Sequence, residues 1–128
     1  MVRGETRATT GADGMRLASP LFMQTITREA LKKKLERGDD FALVEVLSPQ
    51  AYDAYHLPGA INIPLGPNFE ENVLLTLHDK NQEIVVYCSD ENCSASPTAY
   101  KRLKDLGYRR VYDYEFGKHD WLTAVGKA

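Results

Sequence analysis

Short apolar runs alternate along the chain with segments whose apolar residues recur at helical spacing. Residues 41–47 and 83–87 are mostly apolar and rich in β-forming side chains, which predicts two strands buried on both faces of a parallel sheet. Shorter extended segments are predicted over residues 24–27, 60–63 and 110–112. The pattern therefore predicts five strand segments, two of which lie in the core.

Helices are predicted between these strands. Ala30, Leu31 and Leu35 share one face of a helix that Thr27 can cap and Gly38 can end. Further helices are predicted over residues 49–55, 69–77, 95–106 and 118–125. Strands that alternate with helices indicate an α/β fold, with a central, mostly parallel sheet and helices on both faces. In such sheets the ligand site lies beyond the carboxyl ends of the strands.

The length and composition limit the possible functions. The 128 residues fit one domain, which we expect to comprise a mobile N-terminal tail over residues 1–23 and a folded unit over residues 24–128. The 16 Lys and Arg and 18 Asp and Glu are interspersed, and no apolar run could span a bilayer, so we expect neither a nucleic-acid nor a membrane partner. Two Cys and three scattered His predict no metal site, no cofactor and a reducing, cytoplasmic location.

The candidate chemistry lies in the loop that follows the second buried strand. A tight loop there can turn main-chain N–H groups inward, and the following helix adds the positive end of its dipole. Cys88, at the first loop position, is predicted to have a lowered pKa and to act as a nucleophile if it is partly exposed. The alternative is a core cysteine, because Cys is among the most buried residue types. The remaining loop residues are predicted to line the substrate site: Ser89, Asp90, Glu91, Asn92, Cys93 and Ser94.

Three segments together resemble the rhodanese-like single-domain sulfurtransferase family. The first comprises the strand before Cys88, the loop and the helix that ends at Gly107. The second is the segment His56-Leu-Pro-Gly-Ala60-Ile-Asn-Ile-Pro64, and the third pairs Gly117 with Trp121. The resemblance implies a rhodanese-like domain in which Cys88 accepts sulfur, carries it as a persulfide and passes it to a thiol or another nucleophile.

The sequence departs from the family pattern at several positions. Asp and Arg, which are common in the first buried strand of the family, correspond to Glu45 and Leu47, so an internal charge partner is expected to be lost. Cys93 occupies the usual final Arg position of the loop, and the loop contains Asp90 and Glu91 in place of basic residues. These carboxylates are expected to repel thiosulfate, which favours a small-molecule or protein persulfide as donor and a thiol as acceptor. A phosphatase is not expected, because the phosphatase variant of this fold needs a longer loop ending in Arg.

Two other functions stay open on the sequence alone. Cys93 is a possible second thiol that could form a disulfide with Cys88, which would make the protein a thiol–disulfide redox protein, or it could pack under the loop. A catalytically silent rhodanese-like binding module is the other alternative. His56 and His119 are expected to be mainly structural or solvated, and Trp121 to belong to the core. The expected assembly is a monomer or a weak homodimer.

Overall fold

The computed structural model describes residues 23–124, which form a four-stranded, all-parallel sheet with five helices. The strands lie in the order β2-β1-β3-β4. Their bounds are β1 Phe41–Glu45, β2 Ile61–Asn62, β3 Glu83–Tyr87 and β4 Arg110–Tyr114. The helices are α1 Arg28–Arg37, α2 Pro49–Ala54, α3 Phe69–Thr76, α4 Ala95–Asp105 and α5 Gly117–Ala124. The predicted α/β class is confirmed, and the sheet is parallel throughout these strands.

Local signals fix the ends of several helices. The side chain of Thr27 accepts a hydrogen bond from the N–H of Ala30 at 3.1 Å, which caps α1 as predicted. Gly38 ends the same helix in the left-handed region, at φ 70°. Ser48 caps α2 by accepting from the N–H of Ala51 at 3.2 Å. These helices therefore begin where the sequence supplies a capping side chain.

The sheet separates two apolar cores. On one face, Phe69 and Val73 of α3 pack with Ala99 and Leu103 of α4. On the other face, Leu31 of α1 packs in a cluster that also contains Leu57, Tyr114 and Trp121. Both faces of β1 and β3 are covered, which explains why these strands are almost wholly apolar. The predicted placement of helices on both faces is confirmed, and so is the core position of Trp121.

Several predicted boundaries change in the structure, most by a single residue and three by more. Residues 24–27 do not form a strand, because only one bridge, between Thr25 and Asp113, pairs them with β4 before α1 begins. β1 ends at Glu45, two residues early, and β4 continues to Tyr114, two residues beyond its prediction. Met23 packs against the core, whereas the rest of the predicted tail and residues 125–128 lie outside the described residues.

The strand order places a topological switch point between β1 and β3. The chain passes from β1 outward to β2, and then returns to the other side of β1 to form β3 and β4. Open parallel sheets bind ligands outside the carboxyl ends of the strands at such a point. Cys88 directly follows β3 and therefore lies there. Within residues 23–124, no helix has the length and apolar character needed to cross a membrane.

Candidate active site

The loop after β3 folds back over its first residue. Asp90 makes this turn, because its carbonyl accepts from the N–H of Cys93 at 3.1 Å and its carboxylate accepts from the N–H of Asn92 at 2.9 Å. As a result, the carbonyl of Cys93 lies 3.7 Å from Cys88 Sγ and accepts a hydrogen bond from the thiol. The turn therefore brings the second cysteine back to the first. The N–H groups of Asn92 and Cys93 are therefore used within the turn and are not among the main-chain N–H groups that could face an anion.

The start of α5 holds the beginning of the same loop. The N–H of Lys118 donates to the carbonyl of Cys88 at 3.0 Å, and the N–H of His119 donates to the carbonyl of Ser89 at 2.8 Å. Gly117 makes this approach possible, because a Cβ at this position would lie 2.7 Å from the Cys88 carbonyl oxygen. The two carbonyls are thus turned towards α5.

The environment of Cys88 differs from the prediction. The residue is only 1% exposed, and its Sγ also lies 3.5 Å from the hydroxyl oxygen of Ser96, an alternative partner for the thiol. Burial, together with the interaction with the Cys93 side chain, raises the pKa of Cys88 to about 11, against the lowering effect of the Ser96 hydroxyl and N–H. The predicted lowered pKa is therefore wrong for the reduced protein, because the sulfur lies below the loop instead of at its exposed rim.

Cys93 has the environment that was expected for Cys88. It is half-buried, and both cysteines are free thiols. Burial alone would raise the pKa of Cys93, but hydrogen bonds from the Cys88 thiol and from the main-chain N–H groups of Ser89 and Ala95 lower it. The N–H groups of Ser89 and Ala95 therefore favour ionisation of Cys93 over ionisation of Cys88.

A second buried group lies behind Cys88. The Ser96 side chain, which accepts from the Cys88 thiol, is hydrogen-bonded to the carboxylate of Asp113 on β4. Asp113 is 1% exposed, and its Oδ1 has no hydrogen-bond partner within the described part of the chain. Burial raises the pKa of Asp113 to about 6, against the lowering effect of Ser96. A polar path thus runs from the thiol through a hydroxyl to an incompletely paired carboxylate.

Glu45 retains a charge partner, contrary to the prediction. Its buried carboxylate accepts from Lys118 Nζ and from the Tyr87 hydroxyl, each at 2.8 Å. Lys118 Nζ also donates to the carbonyls of Ala51 at 2.9 Å and Tyr55 at 2.6 Å. The cation comes from α5 instead of from the neighbouring strand position, so the ion pair links β1, α2 and α5.

The other predicted loop residues form the outer surface of the site. Cys93 and Asp90 are half-buried, whereas the remaining members of the predicted set are exposed, namely Ser89, Glu91, Asn92 and Ser94. His56 stacks on Tyr52 with ring centroids 3.8 Å apart, as expected of a structural histidine, and the side chain of His119 is exposed. Within residues 23–124, no cluster of three or more His, Cys, Asp or Glu side chains could hold a metal ion.

Three residues near the sulfur atoms were not predicted from the sequence: Ser96, Asp113 and Lys118. Asp113 could have been recognised as a candidate from the sequence, because a carboxylate between apolar strand residues departs from the pattern of a buried strand. Lys118 had no such signal. Its partner Glu45 lies 73 residues away, and only the packing of α5 brings the two together.

Comparison with known proteins bears on the family of the chain. Residues 27–124 match the family described as rhodanese-like domain. The HTH-type transcriptional regulator Rv0324 of Mycobacterium tuberculosis is 35% identical over 99 residues, which cover 77% of this chain and 42% of that protein. The thiosulfate sulfurtransferase PspE of Escherichia coli is 35% identical over 68 residues, which cover 53% of this chain and 62% of that protein.

A solved structure supports the fold. The human single-domain sulfurtransferase TSTD1 superimposes with a TM-score of 0.67 at 22% identity, covering 82% of this chain and 100% of that one. The chain spans less than two thirds of the length of the curated relatives named above, at 42% and 62%. The family match covers most of the folded region and includes the whole loop, and the chain therefore belongs to the rhodanese-like domain family.

Proposed function

We propose that the protein is a sulfurtransferase that carries sulfane sulfur as a persulfide on Cys88. One observation carries the proposal: Cys88 directly follows the central strand β3 at the switch point of the sheet, and a second thiol and a hydroxyl lie next to its sulfur. Membership of the rhodanese-like family and the similarity to a thiosulfate sulfurtransferase support the same chemistry.

The proposed reaction has two steps. The thiolate of Cys88 first attacks the outer sulfur of a persulfide donor, so that the donor's S–S bond breaks, a new S–S bond forms on Cys88 and the donor leaves as a thiolate. An acceptor thiolate then attacks the outer sulfur and regenerates Cys88. Because Cys88 is protonated at rest, its proton must leave first. The Cys93 sulfur and the Ser96 hydroxyl are its neighbouring acceptors, and Ser96 leads on to Asp113.

The charge of the loop favours a persulfide donor over thiosulfate. Asp90 and Glu91 lie on the loop, and residues 88–95 contain no Lys or Arg. The nearby cation of Lys118 is committed to Glu45 and to two carbonyls. A thiosulfate dianion would therefore approach two carboxylates without a compensating loop cation. We propose a small-molecule or protein persulfide as donor and a thiol as acceptor. We also propose that the protein is cytoplasmic and is a monomer or a weak homodimer.

Intact-mass measurement of donor-treated protein tests this function. Wild type and the Cys88→Ser and Cys93→Ser variants are incubated without oxygen with either thiosulfate or a low-molecular-weight persulfide. The two variants are matched, because each removes one thiol from the same loop. Sulfane sulfur is expected on Cys88 in the Cys93→Ser variant and is expected to be absent from the Cys88→Ser variant. Loading with thiosulfate is expected to be about tenfold slower or worse.

Two results would contradict this assignment. Sulfane-sulfur transfer that survives in the Cys88→Ser variant would remove Cys88 from the mechanism. An absence of transfer with every donor would favour the catalytically silent binding module. Equal rates with the two donors would contradict only the donor preference.

A further inference from the structure

The loop contains two thiols, the carbonyl of the second residue contacts the sulfur of the first, and the sulfurtransferase reaction needs only one thiol. We infer that, once Cys88 carries the persulfide of the proposed function, the thiolate of Cys93 attacks Cys88 Sγ, releases sulfide and leaves a Cys88–Cys93 disulfide. The domain would then be a persulfide-reducing, sulfide-releasing protein as well as a carrier. This inference rests on the proposed function and extends it to a second product.

The path of the backbone brings the two cysteines together. The turn at Asp90 reverses the chain, so that the carbonyl of Cys93 accepts a hydrogen bond from Cys88 Sγ at 3.7 Å. The two thiols also influence each other's ionisation, since Cys93 raises the pKa of Cys88 and Cys88 lowers the pKa of Cys93. α5 fixes the beginning of the loop through the carbonyls of Cys88 and Ser89. The attacking sulfur therefore belongs to a residue whose own carbonyl already contacts the sulfur it must reach, and no large movement of the sheet is needed.

The two sulfur atoms have unequal environments, which assigns their roles. Cys88 is buried, its single S–H has the Cys93 carbonyl and the Ser96 hydroxyl as alternative partners, and burial raises its pKa to about 11. Cys93 is half-buried and receives hydrogen bonds from the Cys88 thiol and from the N–H groups of Ser89 and Ala95. Because a thiolate is the reactive form in disulfide exchange, Cys93 is the nucleophile of the pair.

The step balances without an external oxidant. The persulfide on Cys88 contains one S–S bond, which breaks as the Cys93 thiolate forms a new S–S bond to Cys88 Sγ, and the outer sulfur leaves as hydrosulfide. The two cysteines are oxidised together, and the sulfane sulfur is reduced. A later turnover requires an external thiol or dithiol, which reduces the disulfide and restores both free thiols.

The test follows one sulfur atom per chain. Reduced wild type and the Cys93→Ser variant are treated without oxygen with one equivalent of a low-molecular-weight persulfide and freed from small molecules. Released sulfide is measured in the reaction mixture before the small molecules are removed, and intact mass and the cysteine-containing peptides are measured afterwards. Wild type is expected to release sulfide in a one-to-one ratio with a Cys88–Cys93 disulfide, seen as the loss of two hydrogens. The Cys93→Ser variant is expected to retain the added sulfur on Cys88 and to release none.

The two proposals fail in different ways. If the Cys93→Ser variant takes up sulfur but wild type retains it equally well, or bears it on Cys93, the inference is overturned and the sulfurtransferase function stands. A disulfide in wild type without matching sulfide release would indicate another oxidant and would also overturn the inference. If the Cys93→Ser variant never acquires sulfur on Cys88, both proposals are overturned.

Discussion

The sheet buries two carboxylates near the ends of its strands, and they differ in how completely their oxygens are hydrogen-bonded. Glu45, at the end of β1, accepts from Lys118 and from the Tyr87 hydroxyl, so both of its oxygens are paired. Asp113, on β4, has one oxygen without a partner among the described residues and is hydrogen-bonded to Ser96 beside Cys88. A buried charge with complete partners joins elements of the fold, whereas an incompletely paired one raises the free energy of the site.

This contrast also separates the two sides of the candidate site. The Glu45 network holds α5 in place, and the first residues of α5 hold the carbonyls of Cys88 and Ser89. The Asp113 side contains the thiol and the hydroxyl, which can exchange protons. We therefore expect substitutions on the Glu45 side to act mainly on stability, and those on the Asp113 side to change the pH dependence of stability.

The largest effect is expected from breaking the Glu45 ion pair. Lys118→Met leaves a fully buried carboxylate without its cation, which should lower the free energy of unfolding by about 3–5 kcal/mol. Urea unfolding measures the loss, and Lys101→Met, at an exposed lysine of α4, is the control, with a change within about 0.5 kcal/mol. Adding Glu45→Gln should recover part of the loss. If Lys118→Met lowered the free energy of unfolding no more than Lys101→Met, the stability of the fold would not depend on the ion pair between Lys118 and Glu45.

A smaller effect is expected at the contact between α5 and the loop. In Gly117→Ala the new methyl group would lie 2.7 Å from the Cys88 carbonyl oxygen, on a residue with φ 71°. The clash and the left-handed backbone together should lower the free energy of unfolding by about 2–4 kcal/mol, as measured by urea unfolding. Gly38→Ala is the matched control, because Gly38 has φ 70° but open space around it, and it should cost about 1–2 kcal/mol.

Thiol alkylation gives an independent measure of the same contact. Displacement of the loop by Gly117→Ala should change the alkylation rate of Cys88, whereas Gly38→Ala should not. If both variants lost the same free energy of unfolding and showed the same alkylation rate of Cys88, the loop would not depend on the close approach of α5.

The smallest effect, and the one that depends on pH, is expected at Asp113. Its pKa is raised to about 6 in the folded protein from 3.8, so the folded state binds the proton more tightly than the unfolded chain. The stability that this group contributes is fully present below about pH 4 and is lost as the pH rises through about 6, by up to about 3 kcal/mol.

Asp113→Asn should remove this loss. The variant should be more stable than wild type by about 2–3 kcal/mol at pH 8, with the difference vanishing near about pH 4. Urea unfolding of both proteins across this pH range measures the difference between their free energies of unfolding. The titrations of all other groups are common to the two proteins and cancel in this difference. A constant difference between the two proteins would mean that Asp113 does not titrate in this range.

Much of the fold could be predicted because its signals are local. The apolar residues 83–87 indicated a strand buried on both faces, and Thr27 and Gly38 marked the two ends of α1. Cys88 could be placed at the carboxyl end of β3 for the same reason. Residues 24–27 were wrongly predicted as a strand, because pairing depends on the neighbouring β4 as well as on the segment itself.

The sequence by itself determined the order of the elements, the parallel sheet and the loop that contains both cysteines. Only the tertiary structure decided which of the two thiols has the raised pKa and which the lowered one, because that depends on how the Asp90 turn and α5 orient the loop. It also decided that Lys118 neutralises Glu45 and that Asp113 lies behind Cys88 through Ser96. These contacts join residues far apart in the chain, and the free energy of a buried charge depends on such neighbours rather than on local sequence.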